Sequence, residues 1–204
     1  MANLWEGLRV ALICDYYDPV FRGGAEHSVK HLAAWLSREC HVVVVTPDYR
    51  AGPRHDDGPE TVRRYPIPDG CGWTTGYWRF ANPWWYLYSA QWITELCAQE
   101  NVAILHCQGK HSLVGTWLAA RRLILPCVAT MRDYQALCRY GLDFETGRAQ
   151  WPVTPAGAWY RADAALKRWV LRHYDQVVVL SRAMRDVYAQ HGVSAQVIYN
   201  TVTP

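Results

Sequence analysis

The stretch RVALICDYYDPVFRGGAEHSVKHLAAWLSRECHVVVVT, residues 9–46, decides how this chain folds. It opens on a short apolar run, Arg9 to Cys14, and then breaks at Asp15, Pro19 and the Gly23-Gly24 pair. Val29, Leu32, Ala33 and Leu36 follow at the spacing of one helical face. His41 to Thr46 comes next, with four consecutive valines and with Pro47 as its expected stop. An unbroken valine run suits a strand covered on both faces, and strand, helix, strand in that order is the unit of a parallel sheet.

The same alternation continues outward from this stretch. Residues 50–61 are rich in turn formers and charge and read as an exposed loop before a weaker strand over Val62–Ile67. A helix is expected to start near Asn82, with Pro83 in its first turn and with Tyr86, Ala90, Ile93 and Cys97 on one face. Ala103–Cys107 reads as a strand, Ser112 as the cap of a helix carrying Leu113, Trp117 and Ala120, and Cys127–Thr130 as the strand after Pro126. Residues 139–160 contain Gly141, Gly147, Pro152, Pro155 and Gly157 without period, and read as a long loop of the kind that covers binding sites. Ala162, Ala165, Leu166 and Trp169 then mark a helix, Val177–Leu180 a strand, Ala183, Val187 and His191 a last helix, and Val197–Tyr199 a closing extended segment. The expected fold class is α/β: a Rossmann-like doubly wound parallel sheet with helices on both faces.

Composition limits the function classes. Half of the 204 residues are apolar and 19% are charged, which excludes a disordered chain. A formal charge of +3, with no nucleic-acid motif, gives no basis for a nucleic-acid partner. The seven cysteines form no CxxC pair, and Cys14, Cys107 and Cys127 sit in apolar runs, as reduced thiols of a cytosolic protein do. The opening MANLWEGLRVALICDYY is interrupted by charge and does not read as a signal peptide, and no run reaches the 18 apolar residues of a membrane span. A cytoplasmic protein is expected, at most peripheral to the inner face of a membrane.

In an open parallel sheet the ligand lies beyond the carboxyl ends of the strands, here the loops after Cys14, Thr46, Cys107 and Thr130. The first of these ends in GGAEH, where two glycines let a ligand approach the first helical amides. A diphosphate suits such a place. A plain turn, with Glu26 merely favouring the positive end of the helix, suits it equally. Neither GxGxxG nor GxxxxGK[ST] occurs, which argues against a nicotinamide dehydrogenase and a P-loop enzyme.

Four segments in this order carry a resemblance: GGAEH after the first strand, ILHCQG, VATMRDYQALC, and VVVLSRAMRDVYAQHGVSAQVIYNTVTP. Together they resemble the amino-terminal domain of the retaining glycosyltransferases of the GT-B architecture known as family 4. The resemblance implies transfer of a sugar from a nucleoside-diphosphate sugar, the co-substrate, to a glycan or lipid-linked acceptor, with no other cofactor and no metal. It places Gly23, Gly24 and Glu26 near the donor diphosphate or the acceptor, and adds His106 at the end of the fourth strand. Gln108 stands where the family often has a second histidine, and Arg132-Asp133 where it commonly has His-Asp. Arginine cannot serve as a base, so Arg132 would hold an anion or a hydroxyl; a structural ion pair with Asp133 is the alternative. The resemblance also implies one acceptor-side domain over 1–199, a linker beginning at 200–204, and a carboxyl-terminal donor domain of the same enzyme that these residues do not include. A stand-alone, non-enzymatic carbohydrate- or nucleotide-binding module is the competing reading.

Aromatic residues crowd the stretch from Trp73 to Trp92, as candidates for acceptor or membrane contact or for the core. Arg161, Lys167, Arg168 and Arg172 gather on one helix, either to attract an anionic lipid or as a solvated face. His27 and His31 stand four apart but lack a carboxylate at ligand spacing, and Ser181 lacks GxSxG and reads as a helix cap.

Overall fold

The computed structural model describes residues 5, 7–19, 23–49, 58–68, 83–138 and 154–200. They fall into two compact units, Met1–Cys127 and Val128–Pro204. Parts of the aromatic stretch (73–82) and of the long loop (139–153) lie outside the described residues.

In the first unit β1 (Arg9–Ile13), β2 (His41–Asp48), β3 (Thr61–Pro66) and β4 (Ile104–Cys107) run in the order β3-β2-β1-β4. Each pairing is parallel, with Val10 opposite both Val42 and Ile104, and Val43 opposite Thr61. Helix α1 (Gly24–Leu36) covers one face through Val29 and Ala33, which pack with Val10, Leu12, Val42 and Val44. Toward the other face lie α2 (Pro83–Gln99) and α3 (Leu113–Leu123), with Trp85 of α2 at 6.2 Å between ring centroids from Tyr65 of β3. Val42 to Val45 are at most 1% exposed, as a strand with helices on both sides requires.

Helices α2 and α3 pack closely because Gly115 has no side chain. A Cβ there would lie 2.3 Å from Ser89 Oγ and 3.3 Å from the Ala90 amide nitrogen. Gly115→Val is therefore expected to cost about 2 kcal/mol of overpacking in a urea titration. The expected face Tyr86, Ala90, Ile93, Cys97 is the buried face of α2, and burial pushes the Cys97 thiol up to about 12.

The second unit carries most of β5 (Cys127–Met131), then α4 (Pro155–Leu171), β6 (Gln176–Val179), α5 (Arg182–Gln190) and β7 (Gln196–Val197). Its strands run in the order β5-β6-β7, again parallel. Ser181 caps α5, accepting the Met184 N–H at 3.1 Å. The six described cysteines carry free thiols, and five of them are buried.

Several local expectations are corrected. Pro47 does not end β2, which pairs with β3 through Pro47 opposite Tyr65. The last residue pair between β1 and β2 is Ile13 with Val45, so Pro47 stands past that ladder, where a missing N–H costs nothing on that side. Residues 155–160 are helix: Thr154 caps α4 by accepting the Gly157 N–H at 3.0 Å, and Pro155 occupies the first turn. Ser112 precedes α3, but its side chain makes no cap bond there. On α3, Trp117 is only half-buried, while Val114, Gly115, Thr116 and Ala119 are buried. On α5, Ala183 is exposed, and Met184 and Tyr188 face inward.

The largest correction concerns α4. Ala162, Ala165, Leu166 and Trp169 lie outside, whereas Tyr160, Asp163, Ala164, Lys167, Val170 and Leu171 are buried. Lys167 is fully buried and its Nζ donates to Asp163 Oδ2 at 2.7 Å, so it belongs to no solvated basic face. Apolar periodicity places both charges on the wet side; an i,i+4 ion pair neutralises them and lets them go inside.

Candidate functional site

Five of the polar residues buried in the first unit lie at or just beyond the carboxyl ends of its strands. Asp15 follows β1, Thr46 lies near the end of β2, and Gln108, His111 and Ser112 follow β4; all five are buried. Asp15 ties two of these loops together. Its Oδ2 accepts the His111 N–H at 3.0 Å, and its Oδ1 accepts the Ser112 N–H at 2.8 Å together with the Ser112 hydroxyl. An internal carboxylate thus holds the turn of the two residues just ahead of α3. Burial raises the Asp15 carboxyl above the usual carboxylate range, against the opposing pull of its bonds from Ser112 and His111. Gly109 is the residue that permits this approach, since a Cβ there would stand 2.3 Å from Asp15 Cγ.

The loop from β1 to α1 is anchored at several further points. Tyr17 donates its hydroxyl to Glu60 Oε1 at 2.5 Å, Lys30 pairs with Asp18, and Arg64 donates to the Asp18 carbonyl at 2.6 Å. Tyr49 donates to the Asp15 carbonyl at 2.9 Å. Burial, the leading cause in each case, raises the phenols of Tyr17, Tyr49 and Tyr65, so they remain neutral at physiological pH.

Helix α1 begins differently from α3. Gly23 is its N-cap, in extended conformation and without a side-chain cap bond, and a Cβ at Gly24 meets nothing within 4 Å. Among the described residues nothing lies against the backbone at Gly24, and Glu26 stands in the first turn. Glu26 Oε2 is buried and has no hydrogen-bond partner among the described residues.

His106 pairs in register with Leu12, whose side chain packs on the α1 side of the sheet. Paired residues of a parallel ladder point the same way, so His106 faces the α1 side as well. Gln108 donates its N–H to the Ile13 carbonyl at 2.7 Å and carries the ladder one residue past β4, with its side chain buried. Gly23, Gly24, Glu26, His106 and Gln108 thus all belong to the first unit. Arg132 and Asp133 belong to the second unit, directly after β5. There the Asp133 carboxylate accepts the Gln135 N–H at 2.8 Å and its carbonyl accepts the Tyr188 hydroxyl at 2.8 Å.

Sequence reasoning missed Asp15. Its signal was a carboxylate directly after the apolar run Val10–Cys14, but nothing in the chain order links it to residues 111 and 112. Among the described residues no group of three or more His, Cys, Asp or Glu side chains is suited to hold a metal ion, and no helix is long and apolar enough to cross a membrane.

Comparison with solved structures places the fold. HepE of Anabaena in complex with UDP is 13% identical with a TM-score of 0.61, over 96% of this chain and 44% of that one. MurG of Acinetobacter baumannii is 15% identical with a TM-score of 0.53, over 94% of this chain and 45% of that one. A UDP-N-acetylglucosamine 2-epimerase from Rickettsia bellii is 10% identical with a TM-score of 0.56, over 93% and 43%. This chain thus spans less than half the length of each, and at these identities the likeness shows the fold, the Rossmann-like half of the GT-B architecture. No curated protein matches the chain. An epimerase among the neighbours means that the fold alone does not select sugar transfer. Residues 23–201 match the glycosyl transferase 4-like domain, and the chain belongs to that family.

Proposed function

We propose that this chain is the acceptor-side domain of a glycosyltransferase that moves a sugar from a nucleoside-diphosphate sugar to a glycan or lipid-linked acceptor. The observation that carries this reading is the uncapped start of α1, bare at Gly23 and Gly24, in a chain of the glycosyl transferase 4-like family. Its amides would receive an anionic oxygen or a sugar hydroxyl. Glu26, His106 and Gln108 would bond further hydroxyls, and Arg132, next to Asp133, would hold negative charge that develops on the leaving diphosphate. This is electrostatic preorganisation, and it needs neither a covalent intermediate nor a metal. Retention of the anomeric configuration follows from the resemblance to family 4. HepE in complex with UDP and with UDP-glucose supports a uridine nucleotide as the first donor to try. The neighbours are more than twice as long, which supports a division of labour: these 204 residues bind substrate but turn over little donor alone.

Gly24→Ala separates this reading from a plain turn. The added methyl meets no atom of the described residues, so the fold is expected to gain about 0.5 kcal/mol from a less flexible unfolded chain. The same methyl obstructs a ligand at the helix start, and affinity for UDP-glucose, followed by NMR titration, is expected to fall about tenfold, roughly 1.4 kcal/mol. Unchanged affinity in a stabilised variant would remove α1 from the site, and robust turnover by the parent chain would remove the acceptor-side assignment.

A further inference from the structure

The solvent side of α4 is its more aromatic side. Trp159, Leu166 and Trp169 are 38%, 37% and 46% exposed, with the exposed residues Ala158, Ala162 and Ala165 between them. His173, one turn beyond Trp169, lies against it with ring centroids 4.3 Å apart and ring planes tilted by 41°. At ~100° per residue these side chains share an arc of about 120°. Arg161, Arg168 and Arg172 lie along one border of that arc. Arg168 donates to the Leu137 carbonyl, and Arg172 to the carbonyls of His191 and Gly192, which fixes both near the helix surface without cancelling their charge. The only carboxylate of α4, Asp163, is turned inward against Lys167. The residues that α4 itself turns outward therefore combine apolar bulk with positive charge and include no carboxylate.

We propose that this face of α4 lies on an anionic lipid surface, with Trp159, Leu166 and Trp169 at the headgroup boundary and Arg161, Arg168 and Arg172 against lipid phosphates. Indole rings settle at such boundaries because they are apolar bodies with one polar edge. Guanidinium groups match phosphate geometry, and an amphipathic helix with a cationic border has the form of an interfacial helix. A protein partner would need an acidic strip of matching length, whereas an anionic membrane offers negative charge wherever the helix lands. The inference is independent of the sugar chemistry proposed above.

The test is flotation of the 204-residue chain with phosphatidylcholine vesicles, with and without phosphatidylglycerol. Binding is expected only to the anionic vesicles and to weaken as salt screens the arginines. Trp169→Ser and Arg161→Glu are each expected to weaken it at least about fivefold. Both side chains are exposed, so both variants are expected to remain folded, which circular dichroism checks. Trp84→Ala, at an 80% exposed tryptophan on α2, is expected to leave vesicle binding intact. Parent-like binding by both α4 variants, or no binding by the parent, overturns the proposal. So does a parent that self-associates without lipid, with Trp169→Ser abolishing that association and sparing vesicle binding, because the face would then serve a protein contact.

Discussion

Lys167→Met is expected to lower the free energy of unfolding by about 3–5 kcal/mol in a urea titration. The substitution keeps the length and most of the apolar stem of the side chain, so packing changes little. What it removes is the cation that contacts Asp163 Oδ2 at 2.7 Å in a site where Lys167 is fully buried and the Asp163 side chain is 5% exposed. The carboxylate stays behind in a medium that solvates it poorly. The double variant Asp163→Leu with Lys167→Met removes both charges and is expected to return to within about 2 kcal/mol of the parent, or above it, since buried ion pairs seldom outperform apolar residues of similar size. A single variant as stable as the parent would mean that water reaches the pair and that α4 is turned differently on its sheet. The measurement therefore also checks which side of α4 faces outward, on which the lipid proposal depends.

Asp15→Ala is the second large effect, about 4 kcal/mol, because two backbone N–H groups and the Ser112 hydroxyl lose their acceptor in a buried place. The turn leading into α3 loses its anchor at the same time. Asp15→Asn should fall between, since one amide oxygen can still accept from Ser112 while the amide NH2 faces a donor. The acid form gives a further handle. Burial raises the folded-state pKa of Asp15 above its ordinary value near 3.8, so between the unfolded and folded values the native protein holds more protons than the unfolded one. The contribution of Asp15 is thus full below about pH 3.8 and declines as pH rises through the folded value. Asn does not titrate, so the stability gap between parent and Asp15→Asn is expected to narrow with rising pH and then level off. A gap that widens over the same range would mean that the three bonds outweigh burial and that Asp15 is depressed instead.

The two variants also mark where sequence reading succeeds and fails. The strands of the first unit were legible because four valines in a row admit few environments, and α2 was legible because Tyr86, Ala90, Ile93 and Cys97 keep helical spacing with Pro83 ahead of them. The glycine pair before α1 was legible as bare helix start for the same local reason. Helix α4 misled because its charges are mutually neutralised, which apolar counting cannot register. Its cap was nonetheless visible, as Thr154 followed by Pro155.

The order of strand and helix, and hence the α/β class and the family, was set by the sequence alone, since periodicity and turn chemistry act within a few residues. Only the tertiary structure decided that Asp15 would be spent on the amides of His111 and Ser112, that Glu26 Oε2 would be buried without a partner among the described residues, and that α4 would bury Lys167 and turn Trp159, Leu166 and Trp169 to the solvent. Each of these depends on which distant group arrives beside a polar atom, and in a buried place that neighbour determines whether the atom is solvated, paired or left free for a ligand.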